Sequence, residues 1–146
     1  MKQVRLLIIL VLIWVVVVFL LPGRVSKAYE FAHPVEDIVS IDLLLNTNES
    51  GKADKALLIF QKSLDQNEIF SFMSEVYSLE TRRCYPPLWG WGEYVAQVTY
   101  ANGDVELLGS ANIEFVPSGD CATGDSPYSF WHYGAFEAVF LEYLDS

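Results

Sequence analysis

The stretch Tyr94–Phe115, YVAQVTYANGDVELLGSANIEF, decides the fold, because it alternates apolar and polar residues on both sides of a turn signal. Asn102-Gly103 is the preferred dipeptide of a two-residue type I′ hairpin loop. Such a loop matches apolar with apolar and polar with polar residues across the two strands. The expected pairs are Tyr100 with Val105, Thr99 with Glu106 and Val98 with Leu107.

The second turn of this stretch offers two registers. A two-residue loop at Ser110-Ala111 would set Glu106 opposite Phe115, a charged residue against an aromatic one. A three-residue loop, Gly109–Ala111, avoids that contact, so we predict the longer loop. The result is a three-stranded antiparallel meander with Glu106 and Glu114 together on its polar face.

The elements outside the meander are a hairpin and two helices. Val39–Asn46 alternates as a half-buried strand, and Ala56–Phe60 is predicted to return beside it. Asp65 is expected to cap a helix that ends near Leu79, with Glu68 completing a capping box. A second helix closes the chain. The two helices have apolar stripes at helical spacing: Ile69, Phe72, Met73 and Val76 in the first, and Phe136, Val139, Phe140, Tyr143 and Leu144 in the second.

This order predicts an α+β fold: an antiparallel sheet, made of a hairpin plus a three-stranded meander, packed with two helices and preceded by an N-terminal apolar membrane segment. Residues 38–146 form the single domain, and residues 29–37 are predicted to be a tether. Arg82–Gly92 and Pro117–Pro127 have no regular apolar pattern, so we predict neither a helix nor a strand in them.

The membrane segment is Leu6–Leu21, an uncharged apolar run that follows Lys2 and Arg5. Its length lies between a signal-peptide core and a transmembrane helix, so residues 1–28 are either a signal cleaved after Ala28 or a retained signal anchor in the bilayer. The basic flank favours an N-terminus inside, which places the domain outside the membrane or secretes it.

The exported part is strongly acidic. After Ala28 the chain carries five basic residues against all nineteen of its acidic residues. Phosphate backbones need a basic surface, so nucleic acid binding is excluded. The sequence leaves the oligomeric state open.

The two cysteines, Cys84 and Cys121, are predicted to form a disulfide in an oxidising compartment, with two free thiols as the alternative. A nucleophilic cysteine paired with His132 would require a reduced thiol. The cysteines also lack the close spacing of structural zinc ligands. We therefore predict no metal site and no cofactor.

Trp89-Gly90-Trp91 is the most distinctive local motif. With Tyr85 it predicts a binding surface in the loop Tyr85–Gly92, where indole faces could stack on a sugar or a peptide. The alternative is that these rings fill the core between helix and sheet.

The apolar leader, a helix DQNEIFSFMSEV and a hairpin VTYANGDVELLG resemble small uncharacterised extracytoplasmic domains of Gram-positive bacteria. The resemblance covers most of residues 38–144 in arrangement. It implies export and assigns no catalytic residues.

The function that these patterns favour is a non-catalytic extracytoplasmic interaction module, with an envelope protein or glycan as partner. One alternative is a small cell-envelope hydrolase that uses paired carboxylates from among Glu93, Glu106 and Glu114. Another is an accessory subunit whose apolar segment packs against a membrane protein.

Overall fold

The computed structural model describes residues 29–48, 54–117, 125–130 and 132–146, with the backbone alone at 84–89, 125–126 and 133. Within these residues the chain forms one antiparallel sheet of seven strands and two α-helices. The predicted α+β class is therefore confirmed. Leu6–Leu21 and Cys121 lie outside the described residues. No helix in the described part is long and apolar enough to cross a membrane.

The strands follow one another in the sheet as β2-β1-β4-β5-β6-β7-β3, so β2 and β3 form its two edges. Short 3-10 turns precede β1 and β2. In chain order the elements are β1 (Ile38–Asn46), β2 (Leu58–Ser63), α1 (Gln66–Ser78), β3 (Thr81–Trp89), β4 (Tyr94–Tyr100), β5 (Val105–Gly109), β6 (Ile113–Val116), β7 (Asp125–Phe130) and α2 (Tyr133–Asp145).

The predicted hairpin and meander are both present, and β1 joins them by pairing with β4. The sheet has two more strands than predicted, because the stretches left irregular contain β3 and β7. These two strands pair with each other, and β7 meets β6 through Ile113 and Tyr128. Three other strands separate β3 from β7 in the chain, so no hairpin signal predicts their pairing.

Helix α1 begins as predicted. The Asp65 carboxylate accepts hydrogen bonds from the backbone N–H groups of Asn67 (2.8 Å) and Glu68 (3.0 Å). The Glu68 carboxylate accepts one from the Asp65 N–H at 2.8 Å, which completes the capping box. Helix α1 then buries the whole predicted stripe against the sheet.

One face of the sheet carries both helices and the larger hydrophobic cluster. Phe130 of β7 stacks on Phe136 of α2 with ring centroids 4.8 Å apart, and Phe72 of α1 meets Tyr143 of α2 edge to face at 5.3 Å. The opposite face has a smaller buried cluster of Leu44, Trp91, Val95, Leu107 and Val116. Both faces of the central strands are therefore apolar. This explains why β1 has buried side chains on each of its two faces.

The first meander turn differs from the predicted type I′ loop. A type I′ turn needs positive φ at both central residues, whereas here Gly103 has φ 89° and no described non-glycine residue has a positive φ. The Gly103 N–H donates to the Tyr100 carbonyl, and the Tyr100 N–H donates to the Asp104 carbonyl. This is a three-residue loop with a bulge at Gly103, and it shifts the register so that Val98, not Thr99, faces Glu106.

The second turn also differs from the prediction. The Gly109 N–H donates to the Asn112 carbonyl at 2.7 Å, which leaves the two-residue loop Ser110-Ala111. Glu106 therefore lies opposite Phe115, the pairing that the predicted three-residue loop avoids. The first prediction is wrong because Asn-Gly also fits the three-residue loop with its glycine at positive φ. The second is wrong because it treats Glu106 as a polar surface residue, whereas its side chain is fully buried.

Candidate functional site

The two meander glutamates are buried on opposite faces of the sheet. Leu107 pairs with Glu114 across β5 and β6, so Glu114 shares the face of Leu107. Glu106 is the neighbour of Leu107 on β5, and successive side chains of a strand point to opposite sides. Glu106 therefore faces the helix side, and Glu114 faces the other side. The prediction that they share one polar face is wrong.

Glu106 accepts three hydrogen bonds. Its Oε1 accepts from the Tyr29 hydroxyl at 2.6 Å and from the Ala32 N–H at 2.9 Å. Its Oε2 accepts from the Tyr100 hydroxyl. A buried carboxylate needs such donors because desolvation of its charge is otherwise costly. The three donors account for the position of Glu106 in the core, and two of them come from the segment before β1.

Residues 29–37, here called the strap, lie on the helix side of the sheet instead of forming the predicted tether. The Tyr29 N–H donates to the Thr81 hydroxyl at 2.8 Å. Phe31 packs edge to face on Tyr77 of α1 with centroids 4.6 Å apart. Tyr29, Phe31 and Val35 all pack against the larger hydrophobic cluster. The strap is therefore part of the domain, and it begins where the leader was predicted to end.

His33 attaches the strap to the sheet by a polar contact and a ring contact. Its Nε2 lies 2.7 Å from Asp104 Oδ2, and its ring contacts Tyr100 edge to face at 4.8 Å. Asp104 Oδ2 also accepts from the Asn102 side-chain amide at 2.7 Å. The strap is thus attached to the β4–β5 turn, which is the turn whose register buries Glu106.

The tyrosines around Glu106 resist ionisation. Burial, together with the neighbouring Glu106 carboxylate, raises the pKa of Tyr29 and of Tyr100 well above the ordinary 10.0. Burial, together with the hydrogen bond to Glu75, raises the pKa of Tyr143 to about 12. Ionising Tyr29 or Tyr100 would place a second negative charge beside a buried carboxylate.

We expect these tyrosines to make the fold sensitive to alkali. The folded state holds their protons more tightly than the unfolded state, so their stabilisation is complete below 10.0, the ordinary tyrosine pKa, and is lost as the pH rises past it. Denaturant titrations at increasing pH should show this loss, with Tyr143 ionising near pH 12. Tyr29→Phe with Tyr100→Phe should reduce the pH dependence. If both tyrosines ionise at their ordinary pKa while the chain stays folded, the expectation fails.

Trp91 belongs to the core, which is the alternative that the sequence left open for it. The ring is fully buried, and its Nε1–H donates to Glu114 Oε2 at 2.9 Å. Its carbonyl accepts from the Ala111 N–H at 2.9 Å. A Cβ added to Gly109 would lie 2.2 Å from that carbonyl oxygen, so only glycine permits this approach. Trp91 therefore has no exposed face for a ligand.

The side chains of the remaining predicted contact and disulfide residues are not among those that the structure describes. Only the backbone of β3 is described at Tyr85 and Trp89, so their proposed stacking role stays a prediction. The Cys84–Cys121 disulfide also stays a prediction, because neither side chain is among the described atoms.

The paired-carboxylate alternative finds no support in this geometry. Glu93 is exposed at the start of β4, whereas Glu106 and Glu114 are buried on opposite faces. Each buried carboxylate is engaged by hydrogen-bond donors of the domain itself. Within the four described ranges, no group of three or more His, Cys, Asp or Glu residues is arranged to hold a metal ion.

Large apolar side chains are exposed at one edge of the sheet, on β2 and on Leu57 of the 3-10 turn that precedes it. The exposed fractions are 37% for Leu57, 51% for Ile59 and 59% for Phe60. Ile59 pairs with Leu45 on the helix side, and Phe60 pairs with Leu44 on the opposite side, so both faces of the edge are apolar. An exposed, apolar edge strand offers unpaired backbone groups to another strand. No pattern in the sequence predicts that this surface is exposed, although Ala56–Phe60 is predicted to be a strand.

No family model, curated protein or solved structure matches this chain. Two features stand out, the strap held by Glu106 and the apolar edge β2.

The Lys62 side chain links β2 to the two helices. Lys62 Nζ donates to Glu68 Oε1, to the Tyr143 carbonyl and to the Ser146 hydroxyl, each at 2.9 Å. The hydrogen bond from Lys62 lowers the pKa of Glu68 below its usual range. The charge of Lys62 is thus directed to the helix side of the sheet and away from the free edge.

Proposed function

We propose that this chain is a non-catalytic interaction module that works on the outer side of a membrane, where Leu6–Leu21 holds it, or in secreted form after cleavage behind Ala28. The apolar leader and the acidic domain behind it support this placement. Residues 22–28 alone would separate a retained apolar segment from the strap, so the domain would lie close to the bilayer surface.

The observation that carries the proposal is the apolar free edge of β2. Ile59 and Phe60 of β2, together with Leu57 just before it, are three of the seven large apolar side chains that are exposed in the described residues. A charged or polar surface would be expected there if the domain had no partner. The proposed contact surface is therefore β2, in addition to the predicted loop residues Tyr85 and Trp89.

The partner that suits this surface is a polypeptide in extended conformation. Strand addition draws affinity from main-chain hydrogen bonds and specificity from alternate side chains, and β2 presents both. Envelope proteins are thus favoured over glycans as partners of this edge. A hydrolytic function is not supported, because both buried carboxylates serve to hold the fold together.

Site-specific photocrosslinking in intact cells tests the proposal. The full-length chain would carry p-benzoyl-phenylalanine at position 60 or, as a control, at position 138, where Ala138 is exposed on α2. We expect covalent protein adducts from position 60 and few from position 138, because the edge meets a partner and the helix surface does not. Absence of adducts from positions 58 to 60 in well-expressed protein would contradict the proposal.

A further inference from the structure

The bond at which the predicted leader would be removed joins Ala28 to Tyr29. Residues 26–28 lie outside the described part of the chain, but the nitrogen of this bond belongs to Tyr29, the first residue inside it. That nitrogen is bound to the folded domain, since its N–H donates to the hydroxyl of Thr81 at 2.8 Å. Thr81 is the first residue of β3. The scissile bond is therefore in direct contact with the sheet.

The residues that follow the bond are held on the helix side of the sheet. The Tyr29 hydroxyl donates to Glu106 Oε1 at 2.6 Å, and the Ala32 N–H donates to the same oxygen at 2.9 Å. The Tyr29 ring also contacts the rings of Phe31 and Tyr128 edge to face, with centroids 5.2 Å and 5.3 Å away. Together with the contact to β3, these contacts attach residues 29–32 to three strands, β3, β5 and β7.

Removal of the leader is the hydrolysis of one amide bond by a membrane-bound leader peptidase. Water adds across the bond, so that the Ala28 carbonyl carbon becomes a carboxylate and the Tyr29 nitrogen takes a proton and leaves as an amine. A peptidase binds an extended chain through main-chain hydrogen bonds on both sides of the bond. In the docked strap the Tyr29 N–H and the Ala32 N–H already donate within the domain. The strap must therefore leave the sheet before the peptidase can act.

We infer that docking of the strap protects the Ala28–Tyr29 bond, so that the folded chain retains its leader and only a chain cut before docking is released. This inference rests on the proposed function, and it assigns the membrane-held and secreted forms to the order of two events. If docking comes first, the domain stays attached to the bilayer. If cleavage comes first, the strap docks afterwards and the domain leaves the membrane.

Glu106 controls how often the docked strap opens, because one of its oxygens accepts from two strap groups. Cleavage of a folded chain follows the population of the open state when opening is fast. A substitution at Glu106 raises that population without changing the sequence around the bond, since the two are far apart in the chain. Substitution of Tyr29 itself would alter both the docking and the residue next to the bond.

An order-of-addition experiment on the full-length chain tests the inference. The chain, unfolded in urea with its leader intact, is diluted into detergent and receives purified leader peptidase either at dilution or after refolding is complete. Intact mass distinguishes the complete chain from residues 29–146. We expect cleavage when the peptidase is present during refolding, and cleavage about tenfold or more slower when it is added afterwards.

Variants show whether the strap, and not the whole domain, must open. In refolded protein, Glu106→Leu should be cleaved about tenfold or more faster than the parent chain, because two strap donors lose their acceptor. Thr81→Val removes only the hydroxyl beside the scissile nitrogen and should accelerate cleavage about fivefold. It keeps the side-chain shape, so it decides the matter if Glu106→Leu does not refold. Trp91→Phe is the control and should leave the rate unchanged, since it weakens the smaller cluster on the face opposite to the strap.

Three results would contradict the inference. Equal cleavage before and after refolding would show that the docked strap gives no protection. Equal acceleration by Trp91→Phe and by the strap variants would show that cleavage follows unfolding of the whole domain. A chain that is cut under neither order of addition would overturn the inference together with the secreted form of the proposed function. The interaction proposed for β2 does not depend on these results, because crosslinking at position 60 tests it separately.

Discussion

Replacing Glu106 with leucine is expected to lower the free energy of unfolding by about 3–5 kcal/mol, because three donors lose their buried acceptor at once. Leucine is similar in size to glutamate, so the loss reflects the unpaired Tyr29 and Tyr100 hydroxyls and the Ala32 N–H. Urea titration of the full-length chain would measure it. Because two of the donors belong to the strap, proteolytic cleavage within residues 29–37 should become faster.

The matched control is Glu106→Gln. The amide keeps one oxygen acceptor and the shape of the side chain, and a tyrosine hydroxyl can rotate to accept from its NH2 group. We expect a loss of about 1 kcal/mol and a protected strap. Equal destabilisation by both substitutions would show that volume, and not hydrogen bonding, makes Glu106 important. An unchanged cleavage rate in Glu106→Leu would show that the strap is held by its aromatic contacts.

Replacing Trp91 with alanine is the second change with a large expected effect, about 3–5 kcal/mol of unfolding free energy. The ring is fully buried in the smaller cluster with Leu107 and Val95, and its removal leaves a cavity in that cluster. It also removes the Nε1–H donor to the buried Glu114 carboxylate. An unfolding transition monitored by circular dichroism would measure this decrease in the free energy of unfolding directly.

Trp91→Phe separates the two contributions. Phenylalanine retains most of the packing and loses only the donor to Glu114, so a smaller loss of about 1–3 kcal/mol is expected. If Trp91→Ala were as stable as the parent chain and lost only partner binding, Trp91 would be a binding residue after all. That result would restore the stacking surface predicted from Trp89-Gly90-Trp91.

Local signals in the sequence are sufficient to predict the two helices. Asp65 and Glu68 form the cap from neighbouring residues, and the apolar stripe of α1 is buried as a whole. The turn at Asn102-Gly103 was also located correctly, since a glycine with positive φ is needed there in either loop type. These features depend on residues a few positions apart, which is the range over which sequence patterns carry information.

The register of the meander depended on a contact that no local pattern contains. Glutamate is normally a surface residue, and the three-residue loop at the second turn is predicted on that rule. Glu106 is buried because Tyr29, seventy-seven positions away in sequence, donates to it. The same distance explains why the strap was predicted to be a tether. Only the folded chain brings its aromatic residues onto the helix side of the sheet.

The sequence by itself determined the α+β class, both helices with the cap of α1, and the places where the meander turns. The tertiary structure decided the register of that meander, the burial of both glutamates on opposite faces and of Trp91, and which edge of the sheet stays open. The physical reason is that the first set arises from backbone preferences and spacing within one element. The second set arises from free energies of burial and hydrogen bonding between residues that meet only after folding.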